Sequence, residues 1–166
     1  MEIHFRYAKP EDAELLVEIY NASFYRDYLE YGECPGYGKT KEMMVQSIKK
    51  FPKWIILSDG KPVGAISVQS TGKGCYEVGC LCVIPEYQGK GIGTKALQYA
   101  QSYYDDWEII TLVTPAGNTK NGSFYTNKCG FRIASEEVDG NVRLFHFVKE
   151  RHSRYSLTIP AGDFHK

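Results

Sequence analysis

Val83-Ile84-Pro85-Glu86-Tyr87-Gln88-Gly89-Lys90-Gly91-Ile92-Gly93-Thr94 is the stretch that decides the fold. The apolar run Val78 to Ile84 ends in it, and an amphipathic helical pattern opens near Gly91. Three alternating glycines lie between, and without a Cβ they let several backbone N–H groups turn toward one point. A helix behind them adds the positive end of its dipole. A strand, a glycine loop and a helix in that order make a site for a phosphate or pyrophosphate.

Working back toward the N-terminus, Tyr76 to Ile84 reads as a strand, preceded by a turn at Thr71 to Gly74. Trp54 to Leu57 and Pro62 to Val68 read as two strands joined at Ser58-Asp59-Gly60-Lys61. Thr40 caps a helix whose buried stripe is Met43, Met44, Val45 and Ile48. Phe24 to Lys39, aromatic and glycine-rich, reads mainly as an ordered loop. Before it, Leu15, Leu16, Ile19 and Tyr20 space a first helix that enters through Pro10 and runs to about Ala22; Ile3 to Tyr7 is a first strand.

Toward the C-terminus, Leu97, Ala100 and Tyr104 stripe the helix after the loop, and Ile109 to Val113 is a buried strand. Asn118 to Lys128 reads as a helix closed by Gly130. Phe131 to Glu136 and Val142 to Val148 form a hairpin around Asp139-Gly140. The order β-α-α-β-β-β-α-β-α-β-β belongs to the α/β (α+β) class, a mixed sheet with helices on its faces. Residues 1–150 make one domain; the tail, 151–166, carries Tyr155, Leu157 and Ile159 at period two and serves as an added strand, a partner contact or a loose end.

With 166 residues the chain is long enough to bury a core, and its net charge of zero gives no basic field for nucleic acid. No apolar run approaches the ~20 residues of a membrane span, and Met1-Glu2-Ile3-His4 does not open a secretory signal. The expectation is a cytoplasmic protein without a membrane partner. Five cysteines fit free thiols rather than a disulfide framework. Cys80 and Cys82 project from one strand face, but no paired Cys/His cluster follows, so no metal is expected. None of His4, His146, His152 or His165 has a catalytic spacing.

Two better-known phosphate loops fail. A dinucleotide fingerprint needs a third glycine where Thr94 stands, and an acid after the next strand, which ends in Val113-Thr114. Gly38-Lys39-Thr40 imitates the end of a nucleotide-triphosphate loop, but the first glycine of that motif is replaced by Glu33. The residues instead resemble the GNAT superfamily of N-acetyltransferases. Gln88 to Gly93 is similar to its acetyl-CoA loop, Q/R-x-x-G-x-G/A. Asn118, Phe124-Tyr125 and Cys129-Gly130-Phe131 are similar to its second block, with Asn121 where alanine is common.

The resemblance implies a mostly antiparallel mixed sheet of about seven strands with helices on both faces, splayed between the fourth and fifth strands. It implies acetyl-CoA as co-substrate, with pantetheine along Leu81, Cys82 and Val83 and pyrophosphate on the backbone of Gln88, Gly89, Lys90, Gly91, Ile92, Gly93 and Thr94. Asn118 serves pantetheine or caps a helix. Tyr125 is the expected general acid. Glu77, eleven residues before Gln88 (88 − 77 = 11) and on the strand face of Leu81 and Val83 by alternation, is the candidate base; a surface acid is the other reading, and a water path is left open. Tyr25, Tyr28 and Glu33 are candidate acceptor-binding residues, suited to a cationic amine.

The function implied is acetyl transfer directly to a primary amine of a small molecule or peptide. A non-catalytic acyl-CoA sensor or interaction module on the same fold is the alternative. Whether the chain forms a homodimer is left open.

Overall fold

A computed structural model describes residues 1–151, so residues 152–166, with the tail pattern at Tyr155, Leu157 and Ile159, lie outside the described residues. The elements are β1 (Ile3–Tyr7), α1 (Ala13–Tyr31), α2 (Lys41–Lys50), β2 (Lys53–Ser58), β3 (Lys61–Gly72), β4 (Cys75–Val83), α3 (Ile92–Tyr103), β5 (Ile109–Pro115), α4 (Thr119–Ser123), β6 (Arg132–Asp139) and β7 (Val142–Glu150). Short 3₁₀ turns cover Pro10–Asp12 and Pro85–Tyr87, and a π turn covers Phe124–Lys128.

The strands form one sheet in the order β1-β2-β3-β4-β5-β7-β6. Among the described strands only β4 and β5 run parallel, and their register holds for three pairs, Cys75↔Ile109, Tyr76↔Ile110 and Glu77↔Thr111. Beyond Glu77 the two strands part. The expected splay between the fourth and fifth strands is present, and the last hairpin inserts β7 between β5 and β6.

Each face of the sheet carries its own core. On one face, Ile92, Ala96, Leu97 and Ala100 of α3 pack with Trp54, Ile56, Ile66, Val78, Leu112 and Phe147. On the other, Leu16, Ile19 and Tyr20 of α1 and Met44 and Ile48 of α2 pack over Ile55, Ala65 and Cys82. The turn between β2 and β3 places Asp59 and Gly60 at positive φ (48° and 81°), as a tight two-residue hairpin turn requires.

Two local expectations are corrected. The first helix runs to Tyr31, not Ala22, and stops at Gly32, which caps it at φ 71°. Aromatic residues in Phe24 to Tyr31 suggested a loop, but no glycine or proline interrupts them, so the helix continues. Met43 is 53% exposed, whereas Met44 and Ile48 are the buried side chains of α2. The Thr40 cap is present: its Oγ1 accepts the Met43 N–H at 3.1 Å.

Candidate functional site

The strand that leads to the glycine loop changes face on the way. Ser67 pairs with Cys80 but Val68 pairs with Val78, so Gly79 is an extra residue, a β-bulge. Before the bulge, Tyr76 and Val78 face the α3 core; after it, Leu81 and Val83 do. Cys80 and Cys82 face the α1 core together, as their spacing suggested. The bulge therefore corrects the face assigned to Glu77, which stands opposite Leu81 and Val83, on the α1 side. It accepts a 3.4 Å hydrogen bond from Gln69 Nε2.

The backbone of β4 is committed on one edge and open on the other. The Ile84 N–H donates to Val63 O at 2.8 Å, toward β3. Because successive residues alternate in the sheet plane, Val83 and Leu81 turn their backbone groups toward the gap left by β5. Gln88 crosses its end: Nε2 donates to Val83 O at 2.8 Å, and Oε1 accepts from Lys120 Nζ at 3.2 Å. The Gln88 backbone N–H is itself taken by Pro85 O at 3.2 Å.

The three glycines do two jobs. Gly89 and Gly91 have positive φ (75° and 80°) with open space beside them, so they shape the loop. Gly93 lies inside α3, where a Cβ would stand 3.0 Å from the Phe124 ring; it lets α3 approach the π turn. No side chain caps α3 at Gly91, and the first return bond is Lys95 N–H to Gly91 O. The N–H groups of Ile92, Gly93 and Thr94 thus have no partner within the helix. The Ile92 side chain is core, Thr94 sits near the Cys129 thiol, and Lys90 Nζ lies over the Tyr87 ring at 5.0 Å.

Across the gap, Asn118 caps α4: its Oδ1 accepts the Asn121 N–H at 3.0 Å. Tyr125 lies in the π turn, 7% exposed, edge-on to Phe131 at 5.7 Å and tilted against Phe147. Burial above all, then the Cys80, Cys129 and Cys82 thiols, push its pKa far up, so the phenol keeps its proton at neutral pH.

On the α1 side, Tyr25 and Tyr28 stand on the last turns of α1, 50% and 40% exposed, while Glu33 lies in the connection after it. Tyr37 folds back to stack on Tyr28 at 4.4 Å, and the Gly38 N–H donates to Asn21 Oδ1, which pins the connection to the helix.

Three features carry no clear mark in the sequence reading. A Cβ on Gly64 would overlap the Cys82 carbonyl oxygen, so β3 lies hard against β4 at the mouth of the gap. An isolated glycine in an apolar strand is the signal for such an approach. The Tyr31 hydroxyl is buried beside Gly117 without a partner among the described residues, in a cavity of about 330 Å³ that Ala116, Asn141 and Arg143 also line. Lys53, buried on β2, is the third. Among the described residues, no group of three or more His, Cys, Asp or Glu could hold a metal, and no helix is long and apolar enough to cross a membrane.

Comparison with known proteins gives the same geometry a context. An acetyltransferase from Thermus thermophilus superposes with a TM-score of 0.74 at 20% identity, covering 91% of this chain and 98% of that one. The PaiA N-acetyltransferase from Thermoplasma acidophilum, solved in complex with coenzyme A, also gives 0.74, at 23% identity over 91% and 100%. The uncharacterized protein YrkN of Bacillus subtilis (strain 168) is 38% identical over 79 residues, 47% of this chain and 43% of that protein, so the match spans less than half of its length. Residues 14–131 match the model of the acetyltransferase (GNAT) family.

Proposed function

The chain belongs to the GNAT family of acetyltransferases, and from that premise we propose that it transfers acetyl from acetyl-CoA directly to a primary amine. Acyl transfer is the family's chemistry; the donor, the direct route and the amine are our reading. The observation that carries it is the gap, with an uncapped helix N-terminus at its end and open β4 backbone along its edge. Coenzyme A in the Thermoplasma acidophilum relative supports the choice of donor.

In this reading, the N–H groups of Gly89 to Thr94 hold the pyrophosphate, and pantetheine bonds the β4 edge at Leu81 and Val83, like an added strand; Cys82 between them turns its carbonyl to Gly64 of β3 and takes no part, against the expectation for it. Gln88 and Asn118 act by fixing the walls. The Val83 N–H polarises the thioester carbonyl. The donor enters from the α3 face, where the loop lies, so the acceptor comes from the α1 face. Glu77 stands on that face, in the last row before the strands part. It takes, through water, the proton that a bound ammonium sheds before attack. Tyr125 returns a proton to the departing thiolate. Tyr25, Tyr28 and Glu33 line the acceptor's approach, and the acceptor is a small-molecule or peptide amine.

Calorimetry with acetyl-CoA, followed by thiol release over a panel of amines, tests this. Binding plus amine-dependent release is expected. Folded protein that binds no acetyl-CoA at millimolar concentration overturns the reading, and binding without release for any amine makes the protein an acyl-CoA sensor.

A further inference from the structure

The cavity beside Tyr31 has no part in the chemistry above. Its volume of about 330 Å³ is near the lower bound of small-molecule sites. Three parts of the chain enclose it: Tyr31 at the end of α1, Ala116 and Gly117 just after β5, and Asn141 to Phe145 at the start of β7. The Ala116 N–H donates to Arg143 O at 2.8 Å, which fixes the last two parts to each other. The cavity stands at the level of the gap where transfer is proposed. From the last β4–β5 pair, Glu77↔Thr111, six residues along the chain lead to Val83 on one side and Gly117 on the other (83 − 77 = 6; 117 − 111 = 6), less one step on β4 for the Gly79 bulge. Helix α1 packs over β3 and β4. Tyr31 therefore crosses the mouth of the gap to reach Gly117, on the face from which the acceptor comes in the reading above.

What the cavity offers is one orphaned hydroxyl. Tyr31 Oη is buried and makes no hydrogen bond among the described residues, a costly state for a polar group. A Cβ on Gly117 would stand 3.2 Å from it, so the glycine leaves the space beside the hydroxyl open. Burial above all, then the Glu30 and Asp27 carboxylates, push the phenol pKa up. It keeps its proton and can both donate and accept. A charged partner of either sign is poorly served. Among the described residues no carboxylate lines the cavity to meet an ammonium. The Arg143 guanidinium is already held by Glu136, whose Oε1 accepts from Nε at 2.7 Å and lies 2.6 Å from Nη2, and Glu30 and Asp27 near the phenol oppose an anion. The remaining side chains, Ala116, Val142 and Phe145, are apolar, and Asn141 adds an uncharged amide.

We propose that this cavity receives the far end of the acceptor and that Tyr31 is a specificity-determining residue, selecting amines that carry an uncharged hydrogen-bonding group, a hydroxyl or a carboxamide. The inference rests on the amine-transfer reading above and names the substrate class of that site. The amine lies at the Val83 level of the gap, and the stem behind it passes Gly117 along the apolar wall. The far group meets the Tyr31 hydroxyl and the Asn141 amide. An alkyl end leaves that hydroxyl as unpaired as before, and a charged end gives up its water without gaining a counter-charge.

Series of amines equal in length and differing only in the far group (methyl, hydroxyl, carboxamide, carboxylate or ammonium) test it by thiol release with full-length wild type, Tyr31→Phe and Gly117→Ala proteins. In wild type, kcat/KM for the hydroxyl or carboxamide member should exceed that for the methyl member about 10-fold or more, with the charged members lower still. Tyr31→Phe should erase that difference while acetyl-CoA affinity holds. Gly117→Ala, which fills the space beside the hydroxyl, should reduce the same preference and serves if Tyr31→Phe does not fold. Equal rates across the series, a preference that survives both substitutions, or faster turnover of a charged member overturns the role of Tyr31 and leaves the transferase reading intact. Acetyl-CoA binding without thiol release from any amine in wild type overturns that reading, and the role of the cavity with it.

Discussion

Gly64→Ala tests how the gap is built. A Cβ there would overlap the Cys82 carbonyl oxygen and lie 3.2 Å from Val83 Cα and 3.3 Å from the Cys82 carbonyl carbon. All three atoms are backbone, so no rotamer change relieves the contact. Strand β4 has to move away from β3 by on the order of 0.5–1 Å, and such overpacking costs about 1–3 kcal/mol. The restricted unfolded chain returns about 0.4–1 kcal/mol, leaving a net loss of about 1–2 kcal/mol. For a chain of this size that is a fall of roughly 2–8 °C in melting temperature. The displaced segment carries with it the neighbouring Leu81 and Val83 groups proposed to bond pantetheine, and one weakened hydrogen bond of about 1 kcal/mol raises the acetyl-CoA Kd about five-fold. Thermal unfolding and calorimetry measure both effects. Gly72→Ala is the control, because its Cβ meets only Cys75 Cβ at an ordinary 4.0 Å. A Gly64→Ala protein that melts with wild type and binds acetyl-CoA equally well refutes the reasoning.

Other outcomes follow from individual contacts. Tyr125→Phe should lower turnover about 100-fold or more while acetyl-CoA affinity holds; equal turnover in steady-state assays removes Tyr125 from the mechanism. Thr40→Ala loses the bond to the Met43 N–H and should cost about 1 kcal/mol in denaturant unfolding; an unchanged midpoint would mean that the cap contributes nothing. The Asp106 hydrogen bond pushes Tyr76 up to about 12, and burial pushes Tyr104 to about 12 and Tyr125 further. Phenols in the unfolded chain titrate near ~10. These groups stabilise fully below that value, and their contribution is lost as pH rises from about 10 through about 12. Denaturant midpoints should fall over that range as phenolate absorbance rises; midpoints flat to about pH 11.5 would contradict the burial of these hydroxyls.

The strands, their order along the chain and the glycine loop were legible because each rests on a local signal: alternation in Ile3 to Tyr7, the apolar run Trp54 to Leu57, a turn pair at Asp59-Gly60, a helix stripe behind Gly91. The long α1 was not, since residues 24–31 mix aromatic and charged side chains and are held as helix by continuity rather than by a clean stripe. Glu77 shows a second kind of failure. Alternation is a sound rule until a bulge intervenes, and Gly79, an isolated glycine in a strand, was the available warning. The pairing of β7 with β5 joins residues far apart in sequence, as does the approach of Tyr31 to Gly117. Such contacts are set by packing, which one-dimensional patterns do not carry.

The seam between β4 and β5 is three residue pairs long, and everything from β1 to β4 meets β5, β7 and β6 in the sheet through it. A molecule that bonds to both edges of the gap extends that seam and becomes part of what holds the protein folded. At a hundred times its Kd such a molecule adds about 2.7 kcal/mol to unfolding stability. Lifetime against heat and proteases is then tied to the supply of the ligand in the gap. Protein made when that ligand is scarce is the protein most quickly lost.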